Sequence, residues 1–503
     1  MRADYVDRFA PDWSAGLKRL VTDGASFRRA AYPYFMTVTC AGHATIGTGA
    51  FPRTHGVIQN EWADRNRRSA PWCVDDPLAS DIGYGPPAGG GHSGRQLLVP
   101  TFADQMRERK AAHVVSVSLK ADAAIMLAGH GGDAVTWVNG SLTGWATSSA
   151  FTSSPVPAVS RFVGGNSIDA YFKRVWDRLL PVAKYLDVDA GVGEGPPPGW
   201  NATFPHPLTG RGTTPDVDFR VQWLHSPFVD DYVGRFASAL VDSMRLGQHE
   251  GTDVLAISFS STDEVGHLFG PRSQEVQDTL ARLDRTIGSL LDRLDTAVGR
   301  GQYVVALTAD HGVTAIPEQA KREGRDVGRL APDEIVDRVE ARLNAVWGRG
   351  RYVAGLSGSN MNLYFVPGVY EKLRAAPAVL DSVVQTIQQI GGVSRVFRAD
   401  DLRTGSTSQD ALTRAVALSY FQGRSGDLVL VMKPGWNMTS TPAMHGSATP
   451  DDQNVPLILM GSGIKPGQYL QPSSPADIAP TLAVLCGITL PTAEGRVRRE
   501  ALR

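Results

Sequence analysis

Three cysteines, Cys40, Cys73 and Cys486, are all that this chain of 503 residues carries. So few and so scattered, they exclude a disulfide framework or a cysteine-ligated zinc site as an organising element. An excess of one charge is also lacking: 50 Lys and Arg stand against 51 Asp and Glu, a net charge of -1. Without a basic surplus no nucleic-acid polymer binding is expected, and no charge block reads as a tail. No run approaches the roughly 18 consecutive apolar residues of a membrane span. The residues after Met1, RADYVDRFAPDW, contain no apolar signal region. The glycine-rich GYGPPAGGGHSG ends without Gly-Lys-Ser/Thr, so it is no P-loop and reads as a surface loop.

What is present is an α/β pattern. The apolar runs YFMTVT, VVSVSL, DVLAISFS, YVVALTAD and VPLILMG read as buried parallel strands, most followed by a loop and a helical pattern. The clearest helix follows HLFGP, where Val276, Leu280, Leu283, Ile287, Leu290 and Leu294 recur at three- and four-residue spacing. Another is expected at DIAPTLAVL. This alternation predicts a doubly wound, mostly parallel sheet covered on both faces, with ligands at the carboxyl ends of its strands. Two segments interrupt it. One is a Pro/Gly-rich excursion near 185–215. The other, 325–412, reads as an inserted α/β subdomain with helices in DEIVDRVEARLNAVW and AVLDSVVQTIQQI and strands in MNLYFV and VSRVFRA. Residues 1–324 and 413–503 then form the catalytic core.

Chemistry concentrates at the predicted strand ends. Asp263-x3-His267 follows DVLAISFS; a carboxylate and an imidazole at that spacing can share one metal, although alone the pair is a weak signal. Asp310-His311 directly follows YVVALTA, and His445 precedes VPLILMG. Three such sites at three strand ends argue jointly for metal. His92, His206 and His225 lack that context and read as surface or packing residues. Thr39 follows YFMTV and precedes a helical stretch with Gly42 and Gly49. A hydroxyl at a helix N-terminus faces backbone N–H groups that suit an attacking oxygen and a phosphoryl group. A metal must activate it, because threonine is a weak nucleophile at its free pKa.

In chain order these motifs are Thr39, GHATIGTG, PRTHGVIQN, D-x3-H-x2-G-P, ADHG and HGS. Together they resemble the alkaline phosphatase superfamily: its Thr-nucleophile phosphatases and the related nucleotide pyrophosphatase/phosphodiesterases. The resemblance implies a zinc-dependent phosphoric ester hydrolase with a covalent phosphothreonine intermediate. It implies that Asn60 holds a phosphoryl oxygen. Asp263, His267 and His445 would bind one Zn2+, and Asp310, His311 and Thr39 a second. It implies small phosphate esters as substrates and a periplasmic or secreted location.

Two departures stand out. In the family the second zinc also takes an Asp from a segment like V-D-Q-M-R-x-D-Y, whereas this sequence opens MRADYVDRF. Met1 then corresponds to the internal methionine. The expectation is that the first strand and its Asp lie upstream of Met1, the second zinc site is incomplete in this chain, and Asp4 falls beyond the motif position. The second departure lies in SLKAD. The phosphatases present a Lys-x-Arg pair there, and this chain has Lys120 followed by Asp122. At strand spacing the two point the same way, so Asp122 is expected to pair with Lys120 or to repel a dianionic monoester. Cys40-Ala-Gly-His does not match the C/S-x-P-x-R of sulfatases. Hydrolysis of phosphate monoesters leads, phosphodiesterase or nucleotide pyrophosphatase activity is the alternative, and a metal-depleted, non-catalytic relative comes third.

Overall fold

The computed structural model describes residues 1–64, 69–357 and 361–503. Its principal strands begin with β1 (Ala25–Phe27), β2 (Asp81–Tyr84), β3 (Val114–Ser118), β4 (Ala134–Val138), β5 (Trp145–Ser148), β6 (Val254–Ser258) and β7 (Val304–Thr308). They continue with β8 (Val353–Ser357), β9 (Asn362–Phe365), β10 (Val393–Arg398), β11 (Leu428–Met432), β12 (Leu457–Gly461) and β13 (Gly467–Tyr469). The helices that matter here are α1 (Gly16–Asp23), α2 (Thr39–Thr48), α3 (Ala121–Ala128), α4 (Phe228–Ser243), α5 (Ser261–Phe269) and α6 (Gln274–Leu294), then α7 (Pro332–Trp347), α8 (Pro377–Gln388) and α9 (Ile478–Leu485).

Two sheets carry the core, ordered β2-β5-β4-β3-β6 and β13-β1-β12-β7. The first is parallel through β4, β3 and β6 and closes with antiparallel β5 and β2. In the second, β1 runs parallel to β13, while β12 runs antiparallel to both β7 and β1. The run VPLILMG therefore forms its expected strand in the opposite direction. A strand buried on both faces reads as a continuous apolar run whichever way it runs.

Alternation along the strands divides them between the same two helical layers. Val115, Val117, Leu255, Ile257, Val305, Leu307, Ile458 and Met460 join one hydrophobic cluster with residues of α1, α4 and α6. Val304, Ala306, Leu457 and Leu459 face the opposite side, with Ile46 of α2 and Ile478 and Leu482 of α9. Helix α6 forms as its periodicity predicts, because Val276, Leu280, Leu283, Ile287 and Leu290 make one buried stripe. Ser273 caps it by accepting the Val276 N–H at 3.2 Å. Each large apolar side chain of that stripe contributes roughly 1.5–3 kcal/mol through burial.

The run YFMTVT is buried but is no strand. Its polar groups are spent elsewhere. Phe35 N–H donates to Ala415 O at 3.0 Å and Met36 N–H to Ser419 Oγ at 2.9 Å, and Thr37 O accepts from His445 Nδ1 at 2.9 Å. With backbone and side-chain partners outside any ladder, and with the Thr37 N–H turned back to Phe35 O at 3.1 Å, the segment joins no sheet. Tyr34, Phe35, Met36 and Val38 instead pack into a second hydrophobic cluster. That cluster belongs to the antiparallel sheet β8-β9-β11-β10 and its helices α7 and α8. The sheet takes β11 from beyond residue 412.

Candidate active site

The loops after β3, β6 and β7 meet the N-terminus of α2 and the segment before β12. Strands β3 and β6 pair in parallel with Ser118 opposite Ser258, so the loops leaving both strands emerge at the same end of the sheet. Asp263 lies in the first turn of α5 and His267 one turn later, the spacing that puts both on one helix face. His267 Nε2 is 3.4 Å from Asp263 Oδ1, and the Nε2 atoms of His311 and His445 are each 3.9 Å from the same oxygen. His311 Nε2 is also 3.1 Å from Asp310 Oδ2. Two ligands on one tetrahedral ion sit about 3.3 Å apart, from metal–ligand bonds of about 2.0–2.1 Å.

The three imidazoles are fixed through the same ring nitrogen. His267 Nδ1 is bonded to Ala443 O at 2.8 Å, His311 Nδ1 to Gly312 O at 2.8 Å and His445 Nδ1 to Thr37 O at 2.9 Å. A carbonyl oxygen only accepts, so each Nδ1 carries the proton and each Nε2 is turned to the centre, as in metal-ligating histidines. His311 Nε2 is buried and has no hydrogen-bond partner among the described residues. In the neutral ring its lone pair faces the Asp310 carboxylate, acceptor against acceptor, and only a proton or a cation resolves that. Asp263, His267 and His445 hold their ligand atoms within 4.8 Å of one another. The donor set fits metal ions.

Electrostatics agree. Burial opposes ionisation of Asp263, but Lys120 and the three histidines outweigh it and hold the carboxyl well below the ordinary range. At Asp310 burial is likewise outweighed, by His311 and His43. Burial, with His311 and His267 adding to it, keeps His445 well below an ordinary imidazole. For His311, Asp310 overcomes burial and raises the pKa.

Thr39 is the first residue of α2, buried, with Val38 rather than itself at the cap position. The helix can lie against the Asp310 strand end because residue 42 is glycine: a Cβ there would come within 2.3 Å of Asp310 O. His43 fastens the same junction. Its Nδ1 is 2.9 Å from Thr39 O and 3.4 Å from Asp310 Oδ2, and its Nε2 is 2.9 Å from Ser258 Oγ. Asn60 Oδ1 accepts the Cys40 N–H at 3.0 Å, which leaves the Asn60 NH2 group free of that bond and able to donate.

Lys120 Nζ lies 2.6 Å from Asp263 Oδ2 and 2.8 Å from Glu264 Oε1. Asp122 is not beside it. Strand β3 ends at Ser118 and α3 begins at Ala121, so strand periodicity does not extend to this pair. Asp122 is buried, accepting from Trp72 Nε1 at 3.2 Å and touching Cys40 Sγ at 3.4 Å. Cys40 and Cys73 form a disulfide, a single bond that their separation of 33 residues did not announce. Asp4 pairs with Arg2 at 2.8 Å rather than with the metal-ligand set, and the Met1 ammonium donates to His311 O at 2.8 Å.

His43 and Glu264 went unassigned in the sequence reading, although each lies inside a quoted motif. One is four residues after Thr39, and the other is next to Asp263. His225, read as surface or packing, reaches Glu264 Oε2 at 3.5 Å. His206 packs as expected, fully buried against Trp200 and 3.0 Å from Glu275.

The sequence pattern described as type I phosphodiesterase / nucleotide pyrophosphatase matches residues 1–454. The chain belongs to that family. Among its relatives, alkaline phosphatase PhoV of Synechococcus elongatus is 30% identical over 100% of this chain and 91% of its own. Alkaline phosphatase PafA of Elizabethkingia meningoseptica is 29% identical over 98% of this chain and 90% of its own. The crystal structure of wild-type PafA superposes with a TM-score of 0.90, covering 100% of this chain and 97% of that one at 29% identity. Murine ectonucleotide pyrophosphatase/phosphodiesterase 5, 12% identical with a TM-score of 0.56, shares the fold.

Proposed function

We propose that this chain hydrolyses phosphate monoesters through a phosphothreonine intermediate at Thr39. Family membership makes it a phosphoric ester hydrolase. The observation that carries the finer reading is the set of imidazoles whose Nδ1 atoms are spent on backbone carbonyls while their Nε2 atoms converge on Asp263, beside the first turn of α2. Zinc ions suit these donors: one on Asp263, His267 and His445, and a second on Asp310, His311 and Thr39, a set one aspartate short of the family's. When bound, they supply Lewis-acid stabilisation of charge on the reacting oxygens.

The side chains do the rest. Thr39 Oγ gives up its proton to solvent as it attacks phosphorus, its bond forms as the ester P–O bond breaks, and the leaving oxygen takes the electron pair and a proton from water to depart as the alcohol. Water then attacks phosphorus, the Thr39 Oγ–P bond breaks, Oγ regains a proton from solvent, and inorganic phosphate leaves. Asn60 donates to a non-bridging oxygen, and Lys120 offers a cation beside it. Helix α2 directs its N-terminal N–H groups at the same charge.

Phosphodiester or nucleotide pyrophosphate hydrolysis is the second reading. One observation favours it: the Lys120 ammonium is already matched by a carboxylate, Glu264, besides the metal-ligand candidate Asp263. Small phosphate esters are the substrates in either case. Among the described residues no helix is long and apolar enough to cross a membrane. The Cys40–Cys73 disulfide supports a periplasmic or secreted location, because such bonds persist in oxidising compartments.

The test is kcat/KM of zinc-loaded protein for an aryl phosphate monoester and its methyl diester, with Thr39→Ala as control. Monoester preference, lost together with turnover in Thr39→Ala, is the expected result. Diester preference selects the second reading, and full turnover by Thr39→Ala removes the covalent route.

A further inference from the structure

We infer that Glu264 is a positioning residue that sets substrate specificity, holding the Lys120 ammonium in place and offsetting its charge so that dianionic monoesters gain less over monoanionic diesters. The inference rests on the reading above in which Lys120 meets a phosphoryl oxygen. Lys120 has two carboxylate neighbours, Asp263 at 2.6 Å and Glu264 at 2.8 Å. They differ in what else they serve. Asp263 Oδ1 is turned to His267, His311 and His445 and belongs to the metal-ligand set. Glu264 is one residue on, about 100° further round α5, and so lies to the side of the face that carries that set. Its second oxygen lies beside the edge of His225, whose Nε2 is 3.5 Å away and whose Nδ1 is bonded to Val221 O at 2.8 Å. Glu264 is therefore the carboxylate left to Lys120 once Asp263 is committed elsewhere.

The consequence is electrostatic. A lone ammonium favours a dianion over a monoanion in proportion to their charge. An ammonium paired at 2.8 Å with a carboxylate presents a dipole instead, and much of that preference goes. The residue expected from the sequence to have this effect, Asp122, is buried against Trp72 and the disulfide. The anion that modulates Lys120 comes instead from the neighbouring strand end, and it sits next to a metal-ligand candidate in the chain.

Glu264→Gln keeps the size and an acceptor oxygen but removes the charge. With metal-loaded, full-length protein at pH 8, calorimetry should show inorganic phosphate binding about tenfold tighter, and the monoester-to-diester ratio of kcat/KM should rise about tenfold. Glu264→Asp should stay near the wild-type ratio. If Glu264→Gln slows both esters equally with phosphate affinity unchanged, Glu264 is only structural and the inference is overturned. Should Glu264→Gln not fold, Lys120→Met decides. With Glu264 unopposed, monoester turnover should then fall about tenfold further than diester turnover, and an equal fall overturns the inference. Phosphate affinity is an equilibrium measurement, so it reports on Glu264 even if Thr39→Ala disproves the covalent route.

Discussion

His311 and His445 lie face to face, their ring centroids 3.4 Å apart and their planes within 11°. Two imidazolium rings stacked this closely repel each other strongly, so at most one of the two is cationic, and the neighbouring charges decide which. Asp310 raises the pKa of His311, while burial, His311 and His267 keep His445 neutral. The pair is thereby set for cations at both Nε2 atoms. Chelation should abolish turnover, and added zinc should restore it and raise the melting temperature, since an ion that binds only the folded chain stabilises it. His445→Ala should lower the metal bound per chain by about one ion and turnover by on the order of 100-fold or more, beyond the loss typical of residues that merely support a ligand. Metal content equal to that of wild type in His445→Ala would remove His445 from the ligand set.

Asp122 gives a second prediction, opposite to the one its sequence position suggests. Because it is buried beside Trp72 and the Cys40–Cys73 bond, Asp122→Arg places a guanidinium where no anion awaits it. That should destabilise the fold by about 3–5 kcal/mol, the range for an uncompensated buried charge. Asp122→Asn keeps an acceptor for Trp72 Nε1 and should leave the monoester-to-diester ratio unchanged. Denaturant midpoints and the two kcat/KM values check both. A stable Asp122→Arg enzyme with raised monoester preference would return Asp122 to the phosphoryl site.

The misreading of Asp122 shows what was legible in the sequence and what was not. Asp263, His267, Asp310, His311 and His445 could be read because each sits in a short motif beside an apolar run, and strand ends converge in α/β folds. Lys120 and Asp122 were read with a strand period that stops at Ser118. Glu264 and His43 act through contacts between elements distant in the chain, Glu264 with Lys120 and His43 with Asp310, and no local spacing encodes those. The direction of β12 and the Cys40–Cys73 pairing are non-local in the same way. YFMTVT was apolar enough for a strand, but its backbone partners, Ala415 and Ser419, are almost 400 residues away.

Gly42 tests how closely α2 must approach Asp310. A methyl group at this position would meet Asp310 O at 2.3 Å, and backbone cannot yield as a flexible side chain can. Gly42→Ala should therefore push the helix away, costing about 1–3 kcal/mol of stability as overpacking does. Turnover should fall more than that stability change explains, because Thr39 moves with the helix and chemistry is sensitive to displacements of about 1 Å. Phosphate affinity should fall much less than kcat. If kcat stays at the wild-type value, the contact is not what places Thr39.

His55 predicts how stability depends on pH. It is completely buried, its Nδ1 accepts the Val57 N–H at 3.1 Å, and its Nε2 is 3.1 Å from Thr45 Oγ1, so the ring is held neutral, with no carboxylate beside it among the described residues. Burial, reinforced by the Arg424 charge, lowers its pKa to about 3. Between that value and the unfolded value near 6.5 the unfolded chain binds a proton that the folded chain refuses. The contribution of His55 to stability is therefore complete above pH 6.5 and is lost as pH falls, by about 1.4 kcal/mol per pH unit. Buried His206 and His445 act with the same sign, so wild type must be compared with His55→Gln. Urea unfolding of metal-free protein between pH 7.5 and 5 should show a shallower decline in the variant, and parallel declines would mean that His55 titrates normally in the folded chain.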